Sequence, residues 1–289
     1  MKRACLCLAL VIAGCGTTPA RVVAERPRPL PPVAVAGRAP GRVAITRIAH
    51  ASVLIDFDGE IVLTDPWFTE SSQYHHGEPL ALAVQALPHL TAVVASHDHY
   101  DHFDLDAFAA YPDKDVPFFV APGSAAAARR AGFRKVRALA PWQSARAGDV
   151  DITAAPAAHG TPEVTFVLQR GGATVFFGAD TRRIAALDEL PRRFPEIDVA
   201  LLPINGLRAF GRQVVMTAEE AAELAATLHA AVAVPIHYTF RGGWFTDTFV
   251  LGYDGTPERF RTAVARAAPA TQARVLAPGE RLEVDVRAR

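Results

Sequence analysis

From residue 42 onward, short apolar runs alternate with alanine-rich stretches whose hydrophobic positions fall at helical spacing. Val43 to Ile48, Val53 to Phe57 and Ile61 to Leu63 are β-branched or alternating, and Asp58-Gly59 is a hairpin signal between the last two. A β-meander is therefore predicted to open the domain. Further strands are predicted at Ala92 to Ala95, Pro117 to Val120, Val150 to Ala154, Val164 to Leu168, Thr174 to Phe177, Val199 to Leu202, Val232 to Ile236 and Arg274 to Leu276. The helices announce themselves by their starts. Thr217 and Glu220 form a capping-box pattern ahead of a Leu224, Leu228, Ala231 stripe, and Thr256-Pro257 supplies a cap and first-turn proline ahead of Phe260 and Val264. A shorter helix is expected near Asp104 to Tyr111. This many strands, with helices interspersed in both halves, predicts an α/β or α+β domain of two sheets with helices packed outside them.

The first 41 residues follow another pattern. Lys2 and Arg3 precede an apolar run from Ala4 to Ile12 that is too short to span a bilayer, and Ile12-Ala13-Gly14-Cys15 follows. This resembles a bacterial lipoprotein signal. The resemblance implies cleavage after residue 14, a lipid on the Cys15 thiol, and a protein anchored to a bacterial membrane. Gly16 in place of an aspartate implies the outer membrane, facing the periplasm. Residues 15–41 are rich in proline, with Pro19, Pro27, Pro29, Pro31, Pro32 and Pro40, and read as an extended tether that adds nothing to the core. Residues 42–289 remain for the folded domain.

Composition narrows the function. The chain has 289 residues, half of them hydrophobic, enough for one large domain with a well-buried interior. Lysine plus arginine balances aspartate plus glutamate at 30 each, so no global positive field recruits nucleic acid, and none is expected as a partner. The three cysteines, Cys5, Cys7 and Cys15, all precede the domain. Neither a disulfide framework nor a thiolate metal site is open to it.

The candidate chemistry lies at the end of a buried-strand pattern, where Ala92-Val93-Val94-Ala95 runs into Ser96-His97-Asp98-His99-Tyr100-Asp101-His102. Extended residues two apart face the same way, so His97 and His99 can reach one ion while Asp101 and His102, entering a turn, can reach a second. His159, Asp180 and His237 each sit just past another strand. Strand ends are where loops converge on a rigid base. Imidazole and carboxylate donors in this mixture suit two divalent ions, zinc first, with manganese or iron also admitted.

These residues, with Asp65 in Leu63-Thr64-Asp65-Pro66, match in order the motifs of the metallo-β-lactamase superfamily, and the resemblance extends over residues 42 to 289. It implies a four-layer αββα sandwich and a metal-dependent hydrolase. It also implies that His97, His99 and His159 hold one ion, that Asp101, His102 and His237 hold the other, and that Asp180 bridges them. Asp65 would support the site by hydrogen bonding. His50-Ala51-Ser52-Val53, Thr64-Asp65-Pro66-Trp67-Phe68 and Pro235-Ile236-His237-Tyr238-Thr239-Phe240 resemble the branch containing L-ascorbate-6-phosphate lactonase and N-acylphosphatidylethanolamine-hydrolysing phospholipase D. A metal-bridged hydroxide, oriented by Asp101, would then cleave a phosphodiester, lactone or related ester in a small-molecule or lipid-derived substrate.

His50 is read as a hydrogen-bonded histidine shaping the site, His75 and His76 as surface residues of the loop from Trp67 to Leu90, and His89 and His229 as structural. Tyr100 and Tyr238 flank ligands, where they either donate to an oxyanion or pack. The segment from Tyr238 to Phe245 reads equally as a cleft wall and as a packed loop. Two other functions compete with the hydrolase: a non-catalytic metal-binding or sensor lipoprotein, and a superfamily nuclease, which should show a basic groove.

Overall fold

The computed structural model describes residues 17–23, 28–36 and 41–287. The signal-like segment through Cys15 lies outside them.

Two sheets face each other. In the first, the neighbours run in the order Val136–Ala138, Phe118–Val120, Ala92–Ala95, Glu60–Thr64, Ser52–Phe57, Gly41–Ala49 and Glu280–Arg287. In the second they run Ser144–Ala147, Val150–Pro156, Val164–Arg170, Ala173–Phe177, Val199–Pro203, Val232–Ile236 and Gln272–Ala273. Alternation along each central strand builds the layers, because successive side chains leave opposite faces. Val53, Ile55, Val62 and Val94 meet Phe166, Val175, Phe177 and Val199 in the core between the sheets. Their neighbours Leu54, Leu63, Val93 and Phe118 face outward against Phe108 and Ala128, which belong to the helices Leu105–Phe108 and Ala125–Arg130. On the far side, Val167, Phe176, Ala200 and Leu202 pack on the helices Ala218–Thr227 and Pro257–Ala267 through Ala221, Leu224, Phe260 and Val264. Three apolar cores between four layers are the expected αββα sandwich.

The capping box at Thr217 is formed: its hydroxyl accepts from Glu220 N–H while the Glu220 carboxylate accepts from Thr217 N–H. Asp104 caps the short helix that follows the histidine run. Two expectations fail. Arg274 to Leu276 is not a strand; the pairing there is Gln272–Ala273 against Val232 and Ala233, and the chain then leaves the sheet. The closing strand, Glu280–Arg287, pairs with Gly41–Ala49 and buries Leu282 and Val284. The proline-rich segment also does more than tether. Arg28–Pro29 and Val33–Ala36 pair in parallel with Glu280–Arg287, Thr18–Pro19 pairs with Thr69–Glu70, and Ala20 and Val33 are buried in the cores. Proline is compatible with this because these are edge pairings that leave one side of the backbone unpaired.

Strand direction positions the site. Glu60–Thr64, Ala92–Ala95 and Phe118–Val120 are parallel, as are Ala173–Phe177, Val199–Pro203 and Val232–Ile236. Val150–Pro156 lies two antiparallel steps from Ala173–Phe177 and so runs in its direction. By the same count Gly41–Ala49 runs with Glu60–Thr64. His50, Asp65, His97, His159, Asp180 and His237 all follow the carboxyl ends of these strands.

A buried ion pair ties two of the loops at that end. Arg47, whose side chain is 1% exposed, makes a bidentate contact with Glu78, and Glu78 Oε1 also accepts from His50 N–H at 3.2 Å and from the Thr239 hydroxyl at 2.8 Å. The loop carrying His50 is thus joined to the loop after His237. Glu78→Ala, which leaves Arg47 buried without its counter-charge, is expected to cost about 3–5 kcal/mol. Urea unfolding of the variant against wild type measures this.

Candidate metal centre

Nine side chains from six chain segments meet at this end. His97 Nε2 lies 3.0 Å from His99 Nδ1, and His159 Nε2 lies 3.2 Å from the same atom. The other faces of two of these rings are already committed. His159 Nδ1 donates to the Val214 carbonyl at 2.9 Å, and His97 Nδ1 faces the Ser96 hydroxyl at 2.9 Å and Glu163 Oε1 at 3.4 Å. The Val214 carbonyl can only accept, and the Ser96 hydroxyl gives its own hydrogen to Asp65, so Nδ1 carries the proton in both rings and each Nε2 presents a bare lone pair. Lone pairs aimed at one point are a cation site.

The second group is built on Asp65. Its Oδ2 accepts from His102 Nδ1 at 2.6 Å and from the Ser96 hydroxyl at 2.7 Å, and its Oδ1 accepts from Ser96 N–H at 2.7 Å. His102 Nε2 is thereby turned toward Asp180 Oδ2 at 3.2 Å and Asp101 Oδ2 at 3.6 Å. His237 Nε2 approaches the same two oxygens at 2.9 and 3.8 Å. His50 completes the group, with Nε2 3.4 Å from Asp101 Oδ2 and its ring 4.1 Å from that of His237. Asp180 Oδ2 stands between the two groups, 4.0 Å from His159 Nε2.

Burial makes this arrangement costly without a cation. His50, His97, Asp65 and His102 are fully buried, and Asp180 and His237 nearly so. Both ring nitrogens of His50 and of His237, His102 Nε2, Asp180 Oδ1 and Glu163 Oε2 have no hydrogen-bond partner among the described residues. Burial opposes every charge here, yet the His102 ring holds the Asp101 and Asp180 carboxyls well below the usual carboxylate range. Against the same desolvation, those two carboxylates raise His102 well above the ordinary histidine value. Burial, reinforced by neighbouring histidines, depresses His97 and His50, favouring the neutral form that ligates metal. The donor set, its fixed tautomers and its unmet polar atoms fit divalent cations.

The backbone is bent to achieve it. His50, Asp65, Ala179 and His237 have φ of 52°, 34°, 47° and 54°, a left-handed region that non-glycine residues seldom enter. Each stands at or beside a strand end, where a single reversal swings the side chain over the edge of the sandwich. Strain clustered this way is characteristic of functional sites.

Every residue expected at the site is therefore brought to it. Tyr238 is not turned to it; its ring packs under the Arg47 guanidinium at 4.7 Å and its hydroxyl reaches the Leu276 carbonyl. Tyr100 contacts Thr69. His76 is a correction: instead of lying on the surface it is fully buried and stacked on Trp67 at 3.6 Å, since Trp67 offers an apolar face that a neutral ring covers well. Two supporting residues were not singled out from the sequence. The Glu163 side chain is fully buried, accepts from Asp180 N–H at 2.8 Å and faces His97, joining the two ligand groups from behind. Its signal was an acid opening the otherwise apolar run Val164 to Leu168. Glu78 carried no signal beyond being one of two acids, with Glu70, in a long loop.

A family model described as a beta-lactamase superfamily domain matches residues 60–238. An uncharacterized protein of Mycobacterium tuberculosis is 32% identical over 224 residues, 69% of this chain, and the chain spans 60% of that relative's length. A protein of Anaeromyxobacter named a metal-dependent hydrolase is 29% identical over 263 residues, covering 83% of this chain and 86% of its own. Among solved structures, the metallo hydrolase Igni18 of Ignicoccus hospitalis superposes with a TM-score of 0.65 at 23% identity, over 84% of this chain and 98% of its own. An isothiocyanate hydrolase from Delia radicum gut bacteria gives 0.67 at 19%, over 82% and 98%. At these identities the two structures speak to the fold. With the family model spanning more than half of the chain and the αββα architecture around it, this protein belongs to the β-lactamase superfamily.

Proposed function

We propose that the chain is a hydrolase that holds two divalent ions, zinc first, and cleaves a phosphodiester, lactone or related ester. The reading rests on one observation, the convergence of bare imidazole lone pairs and two buried carboxylates from both sheets at one edge of the sandwich. His97, His99 and His159 would hold one ion, Asp101, His102 and His237 the other, and Asp180, lying between the groups, would serve both. The hydrolase name of the Anaeromyxobacter relative supports the activity. The sequence motifs around His50, Asp65 and His237 support the lactonase and phospholipase branch.

Bound in this way, two ions make a water nucleophilic near neutral pH and stabilise negative charge on the attacking and leaving oxygens. The protein's own part is to hold the donors in that state. Asp65 and the Ser96 hydroxyl keep the proton on the outer nitrogen of His102 and His97, and His50 steadies Asp101, which orients the attacking water. The departing alkoxide takes its proton from solvent. We further assign residues 1–14 as a lipoprotein signal, so that the enzyme works from a lipid anchor on Cys15 in the outer membrane, facing the periplasm.

The test is an activity panel of phosphodiesters, lactones and carboxylic esters on metal-quantified protein. Turnover is expected to vanish with chelator, to return with zinc or manganese, and to be absent in His97→Ala. No turnover on any panel member by fully loaded protein would refute the hydrolase, and fewer than two ions per chain would favour a metal-binding lipoprotein without catalysis. Removing the carboxylate behind His102 in Asp65→Ala is expected to weaken affinity for at least one ion by about 10–100-fold, read by competition with a chromophoric chelator. Glu163 separates charge from hydrogen bonding. Glu163→Gln still accepts from Asp180 N–H and should keep its stability, whereas Glu163→Ala orphans that buried donor and is expected to lose about 1–3 kcal/mol in thermal or urea unfolding.

A further inference from the structure

The large exposed aromatic side chains of the described residues are gathered beside the metal centre. Phe210 is 83% exposed, Trp244 79%, Phe249 63% and Phe245 58%. Phe210 is the tip of a hairpin, Arg208–Ala209 with Arg212–Gln213, and is held there at φ 50°. The other three lie on the helix Trp244–Phe249, where the Phe249 ring is 6.0 Å from Trp244 and 5.2 Å from Phe245. The two loops are one unit. Phe210 N–H donates to the Val250 carbonyl at 2.8 Å, and Arg208–Ala209 also pairs with Leu251–Gly252.

Each loop is fastened to a candidate ligand. Val214, just past the hairpin, accepts from His159 Nδ1, and Phe240, just before the helix, lies parallel to the His237 ring at 6.3 Å. The aromatic group therefore forms a rim of the site. Its charge is positive: Arg208 and Arg212 flank Phe210 and neither has a carboxylate within ion-pair distance among the described residues. Of the nearby acids, Asp254 pairs with Arg259 at 3.0 Å, and Asp247 accepts from Gly242 N–H at 2.9 Å.

Holding a phenylalanine in a strained conformation at a solvated tip is unfavourable on both counts unless the ring is buried elsewhere. We propose that this rim docks on the surface of an anionic lipid bilayer, with Phe210, Phe245 and Phe249 entering the acyl boundary, Trp244 at the headgroup level and Arg208 and Arg212 on the phosphates. Projecting aromatics flanked by unpaired cations match that interface, with its apolar interior beneath negative headgroups. No helix of the described residues is long and apolar enough to cross a membrane, so the contact is peripheral. Docking turns the mouth of the site toward the lipid, and substrate presented at that surface is the substrate it reaches. This last step rests on the hydrolase reading; the docking itself does not.

The experiment uses the full chain with phosphatidylcholine vesicles, with and without phosphatidylglycerol, whose acyl chains carry bromine to quench tryptophan on contact. Trp67 is fully buried and Trp142 half-buried, which leaves Trp244 as the reporter. Quenching is expected only with phosphatidylglycerol, to disappear in Trp244→Phe, and to fall several-fold in Arg208→Gln/Arg212→Gln and in Phe210→Ser/Phe249→Ser. The N-terminal segment is common to all these proteins, so it cannot produce the differences. Thermal unfolding and metal content of the variants are expected to match wild type. Vesicle-bound wild type whose quenching is absent, or is unchanged by Trp244→Phe, overturns the proposal. So does self-association of wild type that Phe210→Ser/Phe249→Ser abolishes, which would assign the rim to a second copy of the chain. Because fluorescence needs no turnover, an inactive but quenched protein would count against the hydrolase and not against docking.

Discussion

The interior of this protein holds carboxylates and imidazoles that water no longer reaches, and their desolvation is the constraint the rest of the structure answers. Isolated buried ions are strongly disfavoured and buried polar atoms ordinarily find partners. Here Asp101, Asp180, His102 and His237 are pressed together with few conventional hydrogen bonds between them. Mutual attraction accounts for part of the compensation. The remainder fits cations held among the lone pairs, which turn an unfavourable cluster into a ligand cage and link metal binding to the stability of the fold.

Around that cluster the chain fixes the direction of several of the donors. Asp65 is the central support, because one carboxylate grips Ser96 through backbone and hydroxyl while it takes the proton of His102. Asp104 does similar work one step out, accepting from Phe68 N–H, Thr69 N–H and the Thr69 hydroxyl, and so fixing the loop that follows Asp65. Glu163 and Glu78 tie together loops that are distant in sequence. The left-handed residues at His50, Asp65, Ala179 and His237 are tolerable only because these contacts and the packed strands beneath them over-determine the backbone. Rigid sheets supply the precision, and the strained turns aim it.

Much of this was legible because two signals are local. Ligands two and three residues apart at a strand end announce their shared direction, which is why His97, His99, Asp101 and His102 could be read from spacing alone. The apolar strands and the Thr217 cap are local in the same sense. What stayed hidden depends on partners far along the chain. Glu280–Arg287 alternates leucine and valine with charges, a period-two strand signal that went unread, but its place in the sheet depends on Gly41–Ala49 far along the chain. The prolines near residue 30 suggested a tether, but Val33 gains a core position once that same edge exists. His76 next to His75 resembled a surface pair until Trp67 provided a ring to stack on. Glu78 illustrates the limit: its role is defined by Arg47, His50 and Thr239, and no spacing connects the four.

The rim around the site follows from the same geometry that made the ligands converge. Bringing side chains from both sheets over one edge forces the loops beyond them to the outside of that edge, where no layer remains to cover them. Elsewhere the outer helices hide the apolar faces of the sheets, but among the described residues no such helix covers the exposed aromatics of the loops after His159 and His237. Side chains there answer to whatever the site must meet. In this chain they are phenylalanines, a tryptophan and unpaired arginines, a combination poorly suited to water and well suited to the boundary between acyl chains and anionic headgroups. The buried cluster and the exposed rim are two faces of one edge, the first selecting for cations and the second for the surface toward which the site opens.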